Sequence, residues 1–249
     1  MEPEAYRLMA QTEDEHWWYE GRRVIVANVI EALRLPRPAA ILEIGAGTGG
    51  NLKMLAKFGD VQALEPDAFA RAWAAKKTKI NIVAGGLPGG LPFRPGEFDL
   101  ICLFDVLEHL EDDIASLQAA ARLLAPRGKI CLTVPANQWL WSSHDERLHH
   151  FRRYSNGHFL RVISKAGLRV SRVSYFNTFL FPLAVMVRVL DRLIGKQASG
   201  TGRLPFWINT CLKHILYIEG ALLRKYNLPF GVSLIGIIEL GSEPNKSLH

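Results

Sequence analysis

The sequence predicts an α/β protein built on a doubly wound, seven-stranded and mostly parallel sheet. Short apolar runs alternate with helical periods from residue 39 to residue 175, which is typical of parallel strands with covering helices. The first apolar run ends in GAGTGG, with four glycines in six positions, as in turns where a nucleotide-like ligand approaches the backbone. The 249 residues, 49% hydrophobic and 22% charged, are sufficient to bury a full core.

The same periodicities give the order of the elements. Residues 4–34 are predicted as helices that end before Pro36 and Pro38. The predicted strands cover residues 39–44, 61–65, 80–83, 98–104, 129–134, 168–175 and 232–240. The predicted helices between them cover residues 48–57, 67–76, 112–124 and 156–166, and two amphipathic helices at 179–194 and 205–225 precede the last strand, joined by a linker at 197–202.

We therefore expect one domain over residues 1–249, composed of four consecutive parts. These parts are an N-terminal helical cap at 1–38, a cofactor-binding core at 39–176, a helical insertion at 177–230, and the last strand with its tail at 231–249. The acidic N-terminus lacks the layout of a secretory signal, and no apolar run reaches the roughly 20 residues of a spanning helix. These features predict a cytoplasmic protein, with peripheral contact at the inner face of the membrane as an extension of that prediction.

The glycine-rich turn by itself leaves two cofactors open. Its glycines at positions 45, 47 and 50 also fit the dinucleotide fingerprint, and Glu65 lies twenty residues after Gly45, where a ribose-binding carboxylate is expected. Because ligands of open α/β sheets bind across the carboxyl ends of the strands, we expect Glu65, the loop after Val83 and Phe104-Asp105 to surround the same site.

Several motifs in order resemble those of the class I S-adenosylmethionine-dependent methyltransferases, in particular the small-molecule group. The resemblance covers about residues 39–176 and rests on EIGAGTG at 43–49, LEPD at 64–67, LPF at 91–93 followed by FD at 98–99, DVLEHL at 105–110 and LAPRG at 124–128. It implies a Rossmann-like methyltransferase fold, and it implies S-adenosyl-L-methionine as the cofactor.

The resemblance also implies which residues bind this cofactor. They are Glu43, Gly45, Ala46, Gly47, Gly49, Glu65, Pro66, Gly86, Leu87, Phe104, Asp105, Val106 and His109. In the family the carboxylate at the position of Glu65 takes both ribose hydroxyls. The loop at 84–90 lacks the carboxylate that many relatives use for adenine, so backbone groups near Gly86 and Leu87 are expected to bind the base. No tyrosine is followed by a lysine four residues later, which disfavours a short-chain, NAD-dependent oxidoreductase.

The sequence further predicts a histidine general base. Methyl transfer requires an aligned nucleophile, and a hydroxyl acceptor benefits from a base whose pKa is near neutral. His144 is the first candidate because it lies beside Asp145; His149 is the second, and His109, close to the expected methyl position, is the third. We expect O-methylation of a small, apolar or lipid-linked acceptor. A non-catalytic cofactor-binding partner subunit is the alternative.

The acceptor side is expected to include Trp18, Arg152, Arg153 and Tyr154. The two arginines suit an anionic group, while the tryptophan is either part of a lid or part of a helical core. Residues 179–225 either cover an apolar substrate, contact a membrane surface, pack on the sheet or form a homodimer contact.

Two classes of partner are disfavoured. No nucleic acid is expected, because the sequence contains neither an Asn/Asp-Pro-Pro-aromatic motif nor a Pro-Cys nucleophile, and the net charge of +6 is dispersed. No metal is expected, because the histidines between 144 and 158 lack the spacing and the cysteine support of zinc sites. The three cysteines are predicted to be buried thiols.

Overall fold

The computed structural model describes residues 3–194 and 204–241, with the side chains of 4–190 and 204–241. The strands are β1 (Ala39–Ile44), β2 (Gly59–Leu64), β3 (Ile82–Val83), β4 (Phe98–Phe104), β5 (Leu124–Pro135), β6 (Leu168–Phe176) and β7 (Ser233–Leu240). The helices are α1 (Pro3–Thr12), α2 (Trp17–Ala32), α3 (Leu52–Leu55), α4 (Ala68–Thr78), α5 (Asp113–Arg122), α6 (Ser143–Arg147), α7 (Asn156–Lys165), α8 (Phe181–Ile194) and α9 (Phe206–Leu223).

The strands form one seven-stranded sheet in the order β3-β2-β1-β4-β5-β7-β6. The pairs from β3 to β5 are parallel, and β7 lies antiparallel between β5 and β6. The predicted α/β fold class with a mostly parallel sheet is therefore confirmed. The carboxyl ends of β1, β2, β4 and β5 share one edge of the sheet, where a ligand of an open α/β sheet binds.

A separate hydrophobic core covers each face of the sheet. On one face, Leu117 of α5 and Phe159 of α7 belong to the same buried cluster as the strands. On the other face, Ile25 of α2 and Leu216 of α9 belong to the second buried cluster. The helix α9 thus packs directly on α2. Part of the predicted insertion therefore joins the N-terminal cap in the helical layer that covers this face of the sheet.

The structure differs from the sequence-based predictions in several details, among them the length of β3, which covers two residues in place of the predicted four. The helix predicted at 48–57 is reduced to α3, and β5 begins five residues before the predicted start. The helix α6 was not predicted, although Ser142 and Asp145 form a capping box at its start. Cys102 and Cys131 are buried as predicted, whereas Cys211 is exposed, which corrects that prediction. The linker at 197–202 lies outside the described residues.

The helix α8 differs from α9 in how it is anchored. At its start, the Phe181 ring lies 5.9 Å from the Trp139 ring and 5.6 Å from the Phe230 ring. Its apolar side chains from Leu183 to Leu190 are largely exposed. Among the described residues, none of the helices has the length and apolar character needed to cross a membrane.

Candidate cofactor and active site

The glycine-rich turn after β1 fits closely against the turn after β4. Gly45 has a φ of +76°, and a Cβ there would lie 2.6 Å from Cγ2 of Val106, so both the backbone conformation and the space require glycine. The amides of Gly45 and Ala46 donate to the Leu64 carbonyl at 2.7 and 3.1 Å. The turn is therefore fixed at the common carboxyl edge of β1, β2 and β4.

Glu65 lies at the end of β2 with its carboxylate directed at this turn. Its side chain is buried and accepts hydrogen bonds from the Gly47 amide at 2.8 Å and the Asp67 amide at 3.0 Å. The Tyr6 hydroxyl of α1 donates to the same carboxylate at 3.3 Å. Burial raises the pKa of Glu65, against the effect of these hydrogen bonds. A carboxylate in this position can accept from two adjacent hydroxyls, as the predicted ribose contact requires.

Glu43 supplies a second buried carboxylate beneath the same turn. The Asn51 amide donates to its Oε1 at 2.7 Å, whereas its Oε2 has no hydrogen-bond partner within the part of the chain that the structure describes. Burial raises the pKa of Glu43 to about 8. The buried Thr48 hydroxyl also lacks a partner within residues 3–194 and 204–241. Unpaired buried polar atoms of this kind fit a ligand with a cationic, hydrogen-bonding group, such as the ammonium of S-adenosylmethionine.

The remaining predicted cofactor residues meet at the same edge of the sheet. A Cβ on Gly86 would lie 3.8 Å from Pro66, so the loop after β3 adjoins the end of β2. Leu87 packs partly against the first core, and Phe104 is buried in the second.

Asp105 follows β4 and is held from two directions. It accepts a hydrogen bond from the Thr133 hydroxyl at 2.8 Å, and it pairs with the buried Arg22 of α2. Arg22 was not among the predicted site residues, because nothing in the sequence connects it to a carboxylate 83 residues later.

The three candidate bases have different environments. Burial lowers the pKa of His144 in α6 to about 4, and burial together with the neighbouring His150 lowers the pKa of His109 to about 4. Both imidazoles are therefore neutral near pH 7, but a pKa of about 4 makes each a weaker base than the near-neutral histidine expected from the sequence. His149 is exposed and has a positive φ of 56°.

Asp145, which the sequence-based prediction pairs with His144, is instead the centre of a network of hydrogen bonds. It accepts from Arg153 Nε at 2.7 Å and Nη2 at 3.0 Å, from the Ser142 amide at 2.9 Å, and pairs with His150 Nδ1 at 3.0 Å. Although burial opposes it, hydrogen bonds from His150 and Arg153 hold the pKa of Asp145 well below its usual range.

The structure corrects the prediction that Arg153 and Tyr154 contact substrate. Arg153 is buried with its guanidinium committed to Asp145, and Tyr154 is fully buried with its hydroxyl donating to Asp113 at 2.9 Å. Arg152 also pairs with Asp113, at 3.0 Å, so its guanidinium is engaged within the protein. These residues join the segment after α6 to the start of α5.

Trp18 shows the core arrangement that the sequence left open. Its ring stacks on Phe176 with centroids 5.9 Å apart and lies against the second core. The N-terminal element over the glycine turn is α1, whose Met9 sulfur would lie 3.6 Å from a Cβ on Gly47. The predicted helical cap therefore reaches the cofactor edge through Tyr6 and Met9 rather than through the tryptophan.

Comparisons with known proteins agree with this geometry. The family described as "Methyltransferase domain" matches residues 17–172. An uncharacterised protein of Methanocaldococcus jannaschii is 30% identical over 146 residues, which cover 57% of this chain and 68% of that protein. The ubiquinone biosynthesis O-methyltransferase of Pectobacterium carotovorum is 30% identical over 108 residues, 41% of this chain, and the match spans only 45% of that enzyme.

A solved structure supports the fold across almost the entire chain. A Haloferax volcanii protein, solved in complex with the Trm112 methyltransferase activator, superposes with a TM-score of 0.61 and 17% identity, over 96% of this chain and 95% of its own. At this identity, the similarity concerns the fold alone.

Proposed function

The chain belongs to the S-adenosylmethionine-dependent methyltransferases with a "Methyltransferase domain", and we propose that it methylates a hydroxyl group of a small, apolar or lipid-linked acceptor. The observation that carries the proposal is an exposed apolar helix near a partly buried histidine that is neutral at pH 7. In this proposal, that histidine, His144, is the general base.

The acceptor class rests on the exposed side of α8. Leu183, Met186, Val187 and Leu190 lie at i, i+3, i+4 and i+7 and form one stripe of the helix, which we call the α8 face. Each of these side chains is between 38% and 53% exposed. A contiguous apolar stripe on a surface is typical of a contact with an apolar partner. We assign this partner as the acceptor itself or the lipid surface that contains it.

The start of α8 is anchored near the helix that carries the candidate base. The contact of Phe181 with Trp139 joins the start of α8 to the turn that precedes α6. Arg188 of α8 is near enough to His144 to lower the pKa of its imidazole, after the larger effects of burial and of Asp145. Phe181 and Arg188 lie on the side of α8 opposite this stripe. The contacts therefore bring the helix near His144, and the proposed acceptor extends past α8 from its exposed face to reach the base.

The protein residues have three tasks in this reaction. Glu65 and Glu43 bind the cofactor through its hydroxyl and ammonium groups, and the cofactor supplies an electrophilic methyl group. The apolar surroundings of α8 exclude water from an apolar acceptor. His144 takes the proton that the acceptor hydroxyl loses when its oxygen is methylated. The name of the similar ubiquinone biosynthesis O-methyltransferase supports oxygen as the methylated atom.

To test the acceptor class, the protein is incubated with methyl-labelled cofactor and either the organic-phase lipid extract or the aqueous metabolite extract of the same cells. We expect label in products of the organic-phase lipid extract and in compounds whose new methyl group is an ether or ester. Label confined to products of the aqueous metabolite extract would contradict the apolar acceptor, and label on nitrogen or carbon would contradict O-methylation.

The base is tested with His144→Ala. We expect kcat to fall by about 10²- to 10⁴-fold, as is typical for loss of a general base, with cofactor affinity unchanged. His214→Ala is the matched control, because His214 is an exposed histidine of α9. Full turnover by the His144 variant would reject this residue, and His149→Ala tests the second candidate under the same conditions.

A further inference from the structure

A cluster of the buried Glu108 and the partly buried His109 and His150 lies where the turn after β4 meets the segment after α6. Their carboxylate and imidazole ligand atoms all lie within 4.8 Å of one another. The His109 and His150 rings meet edge to face, with centroids 4.6 Å apart. Glu108 and His109 belong to the 3-10 turn Leu107–His109 after β4, whereas His150 follows α6, so the cluster joins two separate segments.

Glu108 is the unexplained member of this cluster. Its side chain is fully buried, and neither carboxylate oxygen has a hydrogen-bond partner among the described residues. Burying a carboxyl group without partners is unfavourable whether the group is ionised or neutral. Both oxygens of Glu108 are unpaired in the described part of the chain, and one of them lies within 4.8 Å of a ring nitrogen of each imidazole. This arrangement indicates a missing partner that accepts electron pairs from all three groups.

The hydrogen bonds around the cluster resemble those that orient the ligands of a metal site. His150 Nδ1 pairs with Asp145 at 3.0 Å, which leaves Nε2 as its free ring nitrogen. Asp145 is itself fixed by Arg153. Metal-binding histidines commonly use one ring nitrogen for a carboxylate in this way, so that the other nitrogen is oriented toward the ion. The Leu148 backbone lies within hydrogen-bonding reach of the His109 ring.

The backbone holds the two segments in register for a shared ligand. The Phe151 amide donates to the Glu108 carbonyl at 2.8 Å, which places His150 directly opposite the 3-10 turn. Arg152 donates to the Glu111 carbonyl at 2.8 Å and reinforces the same junction. The positions of the three ligands are therefore fixed by contacts that do not involve an ion.

We propose that Glu108, His109 and His150 bind one divalent transition-metal ion, of which zinc is the reference case. Two imidazole nitrogens and one carboxylate oxygen are a donor set that zinc prefers, and three protein ligands leave one coordination position for water. Ligands about 2.0–2.1 Å from zinc lie roughly 3.3 Å apart at tetrahedral angles, so the observed cluster needs only a modest contraction. Glu108 and His109 precede β5, outside the histidine segment at 144–158 on which the expectation of no metal is based.

The proposal assigns His109 a structural role in place of a catalytic one. A histidine whose free nitrogen binds a metal cannot also accept a proton, so His144 and His149 remain as candidate bases. The ion would hold the turn after β4 against the segment after α6, and its binding does not depend on the identity of the acceptor.

The test is the zinc content and thermal stability of the full-length protein. After incubation with zinc sulfate and removal of free ion, we expect about one zinc per chain by elemental analysis, and a higher Tm than in EDTA because a ligand stabilises the state it binds. Cobalt in place of zinc should give the visible absorption of a tetrahedral site.

Two variants remove a ligand while keeping the local shape. His150→Asn retains a donor toward Asp145 but loses Nε2, and Glu108→Gln retains the volume but loses the charge. We expect each variant to bind zinc at least about 100-fold more weakly and to lose the zinc-dependent rise in Tm. His158→Asn is the matched control, because His158 stacks on Tyr154 outside the cluster and should leave zinc binding unchanged.

The outcomes are decisive in either direction. Wild-type protein with no retained zinc and no zinc-dependent change in Tm would overturn the proposal, and so would equal binding by both ligand variants and the control. If His150→Asn does not fold in EDTA, Glu108→Gln provides the same comparison.

Discussion

The Tyr6 hydroxyl is hydrogen-bonded to the carboxylate that is expected to bind the cofactor ribose. It donates to Glu65 Oε1 at 3.3 Å, while the Gly47 amide donates to Oε2. In this position the tyrosine competes with a ribose hydroxyl. We expect Tyr6→Phe to tighten cofactor binding by about two- to fivefold, because a modest hydrogen bond of the free protein no longer has to be broken. Isothermal calorimetry with S-adenosylmethionine measures the change.

Glu65→Ala provides the opposite comparison at the same contact. Removing the carboxylate should weaken cofactor binding strongly, because two hydroxyls lose a charged acceptor. Arg7→Ala is a suitable control, since this exposed neighbour forms an ion pair with Glu4 of the same helix. Equal affinities for the Tyr6 and Glu65 variants and the wild type would remove both residues from the ribose site.

Glu43 should make the stability of the cofactor-free protein depend on pH. Burial raises its pKa from 4.5 to about 8, so the folded chain keeps a proton that the unfolded chain releases. The contribution is complete below pH 4.5, is lost as pH rises to about 8, and is constant above it. The slope is at most about 1.4 kcal/mol per pH unit.

Glu43→Gln isolates this contribution, because the amide cannot ionise and still accepts from Asn51. Urea unfolding between pH 5 and 8 should show the wild type losing stability relative to the variant as pH rises. A constant difference between the two proteins across this range would show that Glu43 ionises normally in the fold.

At the level of elements, α2 and α9 are joined by very close packing. A Cβ on Gly21 would lie 2.4 Å from Cδ1 of Leu216, so the two helices cannot accept even a methyl group between them. We expect Gly21→Ala to lower the free energy of unfolding by about 1–3 kcal/mol, as measured by urea denaturation. The loss should be smaller in a Leu216→Ala background.

Gly157→Ala is the control for this prediction. It lies in α7, where an added Cβ would meet a flexible Arg161 nitrogen at 3.5 Å, which is ordinary van der Waals contact. Alanine there should be neutral or slightly stabilising, since alanine favours helix more than glycine does. An equal loss in both variants would indicate a helix-propensity effect rather than packing.

The elements that the sequence predicted well are those with a strong local pattern. The strands β1 and β4 agree with the predicted bounds because each is a short apolar run flanked by polar or glycine residues. The helix α3 is shorter than predicted because Gly49, with a φ of +84°, continues the turn instead of starting a helix. A capping box at Ser142 could have revealed α6, since its sequence spacing is the usual one.

At the level of the whole molecule, the site depends on contacts that no local pattern contains. Arg22 reaches Asp105, and His150 reaches the turn that contains Glu108. The motifs of the glycine turn, Glu65 and Asp105 could be predicted because each occupies a fixed place at a strand end. The partners of those residues could not, because they lie on segments whose approach is set by the packing of the complete sheet.

The α8 face should bind lipid surfaces, and this is the largest-scale consequence of the structure. Met186 at its centre is 53% exposed, and the protein carries a net charge of +6, which favours anionic membranes. In flotation with anionic vesicles at low salt, we expect wild-type protein to rise with the lipid and Met186→Glu to bind about tenfold more weakly or worse, because a charge must then leave water.

Leu160→Glu makes the same charge change on α7, where Leu160 is 38% exposed, and should float like the wild type. If the wild type stays with the aqueous fraction and elutes at twice its mass of 27.9 kDa, and Met186→Glu elutes as a monomer, the α8 face joins two copies of the chain and the lipid assignment is wrong.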